Sequence, residues 1–162
     1  MFLVLAVLAT FASAALARRA AAPFIPTIRC DEIVGHAATA PGTDGRRLVL
    51  DGVSAPPVYL GGGVRTDGRF PYWWKAGLFV HASSNVLTVQ VPKPWRDRVR
   101  VVWGAPGTPA PVVRFAACPS SVDTWDAYSG GFLLRTKAAC VPLIFTVDDR
   151  RATLRFGLGR QC

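Results

Sequence analysis

The sequence of 162 residues contains few of the side chains that carry out acid–base catalysis or bind metals. It has two histidines, His36 and His81, and Glu32 is its single glutamate. A metal site would need both histidines together with a carboxylate, and we expect each histidine to have a structural role instead. The sequence therefore predicts no metal and no cofactor.

Motifs of several enzyme classes are also missing. No two cysteines have the C-x-x-C spacing of zinc and redox sites, and no G-x-S-x-G motif marks a serine nucleophile. The glycines at 61–63 lack the lysine and helix that follow in a phosphate-binding loop. One catalytic alternative remains, a small secreted hydrolase that uses Asp123, Asp126 or His36, and it requires these side chains to converge in a concave pocket.

Sustained helical periodicity is missing from residue 30 onward, and the patch at 120–128 is the best candidate for a single helical turn. Instead, short apolar runs such as VLTVQV at 86–91 are separated by glycine, proline and aspartate. Strands without helices between them cannot make the crossovers of a parallel sheet. The pattern predicts an all-β domain over residues 30–162, an antiparallel β-sandwich (Ig-like or jelly-roll-like) of about eight or nine short strands.

The last two apolar runs predict a β-hairpin that turns at residues 148–151. Alternation along the two runs directs four side chains inward: Leu143, Phe145, Leu154 and Phe156.

The N-terminal segment has the composition of a targeting signal. Residues 1–17 read MFLVLAVLATFASAALA, and the last three fit the small-x-small rule for signal peptidase. We predict a signal peptide and a mature chain that begins at Arg18. No basic residue precedes the apolar run, which leaves two alternatives: a true start that lies upstream and includes the basic segment, or an uncleaved membrane anchor. Residues 18–29, which include two prolines, are predicted to form a linker.

The four cysteines predict two structural disulfides in an oxidising compartment. Three pairings are open. The favoured one joins Cys118 to Cys140, across neighbouring strands, and Cys30 to Cys162, across the two ends of the domain. The rival joins Cys30 to Cys118 and Cys140 to Cys162, across the open end of the final hairpin.

Five segments of the chain resemble those of a family of secreted, disulfide-containing actinobacterial proteins with no assigned activity. They read YWWKAGL at 72–78, FAACP at 115–119, GGFLLR at 130–135, CVPL at 140–143 and RFGLGRQC at 155–162. The resemblance covers most of the mature chain. It implies an exported location and paired cysteines, and it supplies no catalytic residues.

Basic residues dominate the charge of the chain. Nineteen lysines and arginines stand against ten acidic residues, which gives a formal net charge of +9. Arg96, Arg98 and Arg100 alternate in sequence beside Trp95, so a strand there would present them on one face. An excess of this kind attracts polyanions.

The tryptophans supply the candidate stacking surfaces. Trp73 and Trp74 are adjacent, so in a strand their side chains point to opposite faces. If one fills the core, the other lies near solvent, where it could stack on a sugar ring. Trp74 is therefore predicted to bind ligand, together with Trp95 and the three nearby arginines.

These features favour a non-enzymatic, secreted or extracytoplasmic domain. Its expected partners are an anionic or carbohydrate polymer of the cell envelope, or another protein. Without a nucleic-acid-binding signature, we expect no sequence-specific contact with nucleic acid. Contact with a membrane is expected only through an uncleaved N-terminal segment.

Overall fold

A computed structural model describes residues 24–42, 45–82, 85–122 and 124–162. The predicted signal peptide at residues 1–17 and the candidate Asp123 therefore lie outside the described residues. The described chain forms fifteen strands and two 3-10 helices, at Cys30–Glu32 and Lys93–Trp95. The strands are β1 (Thr27–Ile28), β2 (Gly35–Ala37), β3 (Arg47–Val49), β4 (Val53–Ala55), β5 (Tyr59–Leu60), β6 (Val64–Arg65), β7 (Tyr72–Lys75), β8 (Leu78–His81), β9 (Leu87–Gln90), β10 (Val99–Trp103), β11 (Val112–Phe115), β12 (Trp125–Tyr128), β13 (Gly130–Leu134), β14 (Ala139–Val147) and β15 (Arg150–Leu158).

The strands are arranged in three sheets. The largest has six strands in the order β1-β11-β9-β14-β15-β5, the second has the order β10-β13-β7-β6, and the third has the order β2-β12-β8-β4-β3. The interior pairs of all three sheets are antiparallel. The predicted all-β, antiparallel sandwich class is confirmed.

The core contains aromatic side chains from all three sheets. Phe156 of the six-stranded sheet lies 5.3 Å from Phe132 of the four-stranded sheet, centroid to centroid. Phe115, also of the six-stranded sheet, contacts Trp103 at 6.2 Å and Tyr128 of the five-stranded sheet at 4.9 Å. All five side chains are at most 2% exposed. Burial of each such side chain stabilises the fold by about 1.5–3 kcal/mol, which explains the layered arrangement.

Two chain segments pass from the four-stranded to the five-stranded sheet at a shared corner. One bends at Ala76 and Gly77, between β7 and β8, and the other bends at Ser129, between β12 and β13. The amide of Ala76 donates to the carbonyl of Gly130 at 2.7 Å. A Cβ on Gly131 would lie 1.9 Å from the carbonyl oxygen of Trp74, so only glycine allows the two chains to come this close.

The prediction that the last two strands pair as a β-hairpin is confirmed. Strands β14 and β15 form an antiparallel ladder from Ala139 opposite Leu158 to Val147 opposite Arg150. Of the four side chains predicted to face inward, Leu143, Phe145 and Phe156 are fully buried, and Leu154 is partly buried against the core.

The predicted strand count of eight or nine is too low. Several strands have only two or three residues, too few for an alternating pattern in the sequence to reveal. The sequence predicts at most a single helical turn within 120–128. Residues 125–128 instead form β12, because this segment pairs with β2 on one side and with β8 on the other.

The predicted linker at 18–29 ends inside the folded domain. Its residues Thr27 and Ile28 form β1, which pairs with β11 in parallel, and Ile28 is 3% exposed. Strand β5 likewise pairs in parallel with β15 at the opposite edge of the same sheet. Parallel pairing is allowed here because the partners are far apart in sequence, so the rest of the domain serves as the crossover.

The disulfides follow the rival pairing, and the favoured one is wrong. Cys30 joins Cys118, with 5.6 Å between Cα atoms, and Cys140 joins Cys162, with 5.2 Å. The parallel register of Ile28 with Phe115 brings Cys30 to Cys118. Strand β9 separates β11 from β14, which keeps Cys118 away from Cys140.

Within the described residues, no helix is long and apolar enough to cross a membrane.

The corner predicts a specific sensitivity to substitution. Gly131→Ala should lower the free energy of unfolding by about 1–3 kcal/mol, because its Cβ collides with the backbone of β7. Urea unfolding followed by tryptophan fluorescence measures this change. Gly35→Ala is the matched control, since a Cβ there meets nothing within 4 Å. Equal stability of the two variants would contradict the close packing at the corner.

Candidate functional site

The three predicted arginines do not share a strand face. Strand β10 begins at Val99, so Arg100 lies in the strand, whereas Arg96 and Arg98 lie in the turn before it. Pro92 precedes a 3-10 helix here, and the amides of Trp95, Arg96 and Arg98 donate to carbonyls three residues earlier. The alternation seen in the sequence is therefore broken by a turn.

Arg96 and Arg100 are engaged by the protein itself. The Arg96 Nε donates to the carbonyl oxygen of Val91 at 3.2 Å. The Arg100 guanidinium donates to the carbonyls of Arg96 and Val99 and lies 4.7 Å from the centroid of the Phe70 ring. Partial burial, followed by repulsion from Arg69, lowers the pKa of Arg100. Both side chains therefore stabilise the turn and are poorly available to a ligand.

Arg98 is the exposed member of the three and borders a cleft. Its guanidinium carbon lies 4.3 Å above the Trp95 ring centroid, a cation–π contact, and its Nη2 donates to the carbonyl oxygen of Pro94 at 3.2 Å. We call this cleft of about 390 Å³ the arginine cleft, and it is lined by Trp95, Arg98, Thr136, Arg155 and Arg160, among others. None of its described lining residues is acidic.

The C-terminal segment brings Arg160 into the arginine cleft. After β15 the chain turns at Gly159, whose φ is +67°, and folds back over Gly157. A Cβ on Gly157 would lie 2.2 Å from the carbonyl oxygen of Arg160, and the Cys140–Cys162 bridge holds the end in place. Arg155 reaches the same cleft from β15.

Sequence reasoning missed Arg155 and Arg160 as site residues. They come from a strand and a tail far from Arg98 in sequence, so no local spacing links them. The one available signal was the pair of glycines flanked by these arginines near a terminal cysteine, RFGLGRQC, which is typical of a tight reversal.

The predicted ligand-binding Trp74 is a core residue. It is 3% exposed, whereas Trp73 on the opposite face of β7 is partly buried. Register decides which tryptophan is inside, because Trp74 pairs with the fully buried Phe132. Trp74 cannot offer its ring face to a surface ligand, and only an edge of the indole borders a cleft.

That second cleft lies where the chain crosses between two sheet edges. Residues 61–63 connect β5, at one edge of the six-stranded sheet, to β6, at one edge of the four-stranded sheet. We call the adjoining space of about 610 Å³ the glycine cleft. Its side chains include Tyr59, Arg65, Tyr72, Trp74 and Lys137. It shares Ala138 with the arginine cleft, so the two adjoin.

The catalytic alternative receives partial geometric support. His36 Nδ1 lies 2.9 Å from a carboxylate oxygen of Asp126, in a cross-strand pair between β2 and β12. The Asp126 side chain is 4% exposed and that of His36 is 62% exposed. Both line a cleft of about 430 Å³ beside the Cys30–Cys118 bridge.

The His36–Asp126 pair has the orientation of a general base but lacks a partner nucleophile. In the described part of the chain, Asp126 is the hydrogen-bond partner of His36, and no hydroxyl donates to the imidazole. Asp123, the third candidate, lies outside the described residues. The described residues also contain no group of three histidine, cysteine or acidic side chains able to hold a metal ion.

Comparison with protein-family models, with curated proteins and with solved structures gave no match.

Tyr128, two residues after Asp126 in the sequence, has a phenol whose pKa is shifted. Its hydroxyl lies 3.7 Å from the Cys118 sulfur, and its ring packs in the core. Burial, with a further contribution from the carboxylates of Asp126 and Glu32, raises the pKa of Tyr128 above its ordinary value. The protonated phenol is thus favoured in the folded protein.

This shift predicts a loss of stability in alkali. Above pH about 10 the unfolded chain releases the Tyr128 proton while the folded chain retains it, so the unfolding free energy falls by up to about 1.4 kcal/mol per pH unit. Tyr128→Phe should abolish this part of the decline, measured by urea unfolding between pH 9 and 11. Tyr59→Phe, at a half-exposed tyrosine, should retain the wild-type slope. Identical slopes in all three proteins would disprove the assignment.

Proposed function

We propose that this protein is a non-enzymatic binding domain for a phosphate- or carboxylate-bearing polymer of the cell envelope, and that the arginine cleft is its binding site. One observation carries the proposal. Arg98, Arg155 and Arg160, from three separate parts of the chain, converge with Trp95 around one cleft, and none of the described residues that line it is acidic.

The positive charge of the arginine cleft favours the binding of an anion. Three arginines line one space. In the described chain Arg98 and Arg160 each donate one hydrogen bond to a nearby backbone carbonyl, and no hydrogen bond or ion pair engages the guanidinium of Arg155. An oxyanion relieves their mutual repulsion and accepts paired hydrogen bonds from the planar donor fork of each arginine. Trp95 adds an aromatic surface already in contact with Arg98.

An extended ligand suits the surface better than a single ion. The cationic lining continues past Ala138 into the glycine cleft, where Arg65 and Lys137 are placed. A net charge of +9 raises the local concentration of any polyanion and speeds its association. A repeating anionic polymer can therefore contact several cations in succession.

The hydrolase alternative is the weaker candidate. Its support is the His36–Asp126 pair, which acts as a cross-strand link and has no nucleophile bonded to it among the described residues. Degradation of the polymer, abolished by His36→Ala, would transfer the assignment to this class.

Export is part of the proposal. Two disulfides fit an oxidising compartment, and the composition of residues 1–17 fits a cleaved signal. Mass spectrometry of the protein from its native source should give a mature N-terminus at Arg18 and no free thiols. Retention of residues 1–17 in a membrane fraction would support the anchored alternative, and reduced cysteines would overturn export.

The binding proposal predicts a salt-sensitive interaction with polyphosphate or poly-L-glutamate, and none with neutral dextran. Preference between the first two distinguishes phosphate from carboxylate as the recognised group. Arg98→Ala and Arg155→Ala should each weaken binding about fivefold at low salt and reduce the dependence on salt concentration. Fluorescence titration of the native disulfide-bonded protein measures both.

Arg151→Ala is the matched control. Arg151 is an exposed arginine of the same strand as Arg155, about 13 Å further along, so the variant has the same loss of charge outside the cleft. Equal effects of Arg151→Ala and Arg155→Ala would show attraction by net charge alone and would remove the arginine cleft as a site.

A further inference from the structure

The glycine cleft contains a buried polar atom without a partner. In the described residues, the Nε1 of Trp74 is buried and has no hydrogen bond. Trp103, the most deeply buried of the described tryptophans, donates its Nε1 to the carbonyl oxygen of Ala76 at 2.9 Å. A buried indole N–H normally has an acceptor, because leaving it unpaired loses the hydrogen bond that water gave it. The exception at Trp74 therefore calls for an acceptor from outside the chain.

The indole edge that bears this N–H lies against the floor of the cleft. A Cβ on Gly63 would lie 2.8 Å from Nε1 and 2.3 Å from the adjacent ring carbon. A Cβ on Gly159 would lie 3.3 Å from the same ring. Both glycines line the cleft, and the backbone of Gly63 packs directly against the indole edge, so this glycine segment covers the N–H.

The other lining groups are donors and aromatic surfaces. Tyr59 is half exposed, and the Tyr72 ring lies 6.3 Å from that of Trp74. Arg65 and Lys137 supply positive charge, and no described lining residue is acidic. A ligand that satisfies this set must be rich in acceptors, carry negative charge and present a flat face to a tyrosine. A pyranose ring with a carboxylate has all three properties.

We propose that the glycine cleft binds an acidic saccharide, a uronic-acid-type ring whose carboxylate lies between Arg65 and Lys137, and whose oxygen accepts the Trp74 N–H after the glycine segment at 61–63 shifts to uncover it. The volume of about 610 Å³ is suited to one or two sugar rings. The site adjoins the arginine cleft at Ala138, and binding of a short saccharide in it does not require Arg98, Arg155 or Arg160.

Titration calorimetry with digalacturonate tests the proposal, with galactobiose as the neutral counterpart and inorganic phosphate as the bare anion. Digalacturonate should bind, galactobiose should bind at least about tenfold more weakly, and phosphate should not compete. Equal binding of the neutral sugar would overturn recognition of the carboxylate. Competition by phosphate would overturn recognition of the sugar.

Variants locate the site. Trp74→Phe keeps an aromatic ring but removes the N–H together with the second ring of a core side chain, so affinity should fall about tenfold and the unfolding midpoint should fall as well. Tyr59→Ala and Lys137→Ala, both nearer the surface, should each weaken binding about fivefold, and Arg151→Ala should not change it. Affinity is compared at a temperature well below every midpoint, where unchanged affinity of folded Trp74→Phe would overturn the role of the indole.

The outcomes also separate this site from the polymer site. Polyphosphate binding that persists in a protein unable to bind digalacturonate would overturn the present inference alone. Loss of polyphosphate binding in Arg98→Ala, with digalacturonate affinity retained, would support two independent sites.

Discussion

The close approach of β7 and β13 at the sheet corner is the constraint on which the rest of the structure depends. Gly131 allows the backbone of β13 to lie against Trp74, and Trp103 holds the bend by donating to Ala76. These contacts hold the corner at which two chain segments, β7–β8 and β12–β13, pass between the four-stranded and the five-stranded sheet. Both of these sheets pack on the six-stranded sheet. The same contacts fix Trp74 beneath Gly63, so the position of the glycine cleft follows from the packing of the corner.

Basic residues form a candidate binding site only where the fold brings several of them together. The chain has nineteen basic residues, and several are engaged by their own surroundings, as Arg96 and Arg100 are by backbone carbonyls. The arginine cleft differs because a strand, a turn and a reversed tail each contribute one cation to the same space. None of its described lining residues is acidic, so no side chain of the described lining offsets these positive charges.

Individual predictions succeeded where local pattern and tertiary environment agree. The final hairpin was predicted correctly because Leu143 and Phe145 on one strand and Leu154 and Phe156 on the other face the same core, and the two strands pair over nine residues each. The arginine face was not, since a turn at residues 96–98 interrupts the alternation. Trp95 and Arg98 do lie together at a cleft, whereas Trp74 is a core residue whose indole edge alone borders one. His36 and Asp126 meet across β2 and β12, a pairing that no spacing in the sequence could reveal.

The sequence by itself determined the all-β class, the excess of positive charge and a number of cysteines sufficient for two disulfides. It could do so because periodicity and composition are local properties. Tertiary structure alone decided which cysteines pair, which of two adjacent tryptophans is buried and which arginines share a cleft. These outcomes depend on parallel pairing at the sheet edges and on the reversal of the C-terminal segment. Such contacts join residues far apart along the chain, and their free energy arises only when the whole core packs.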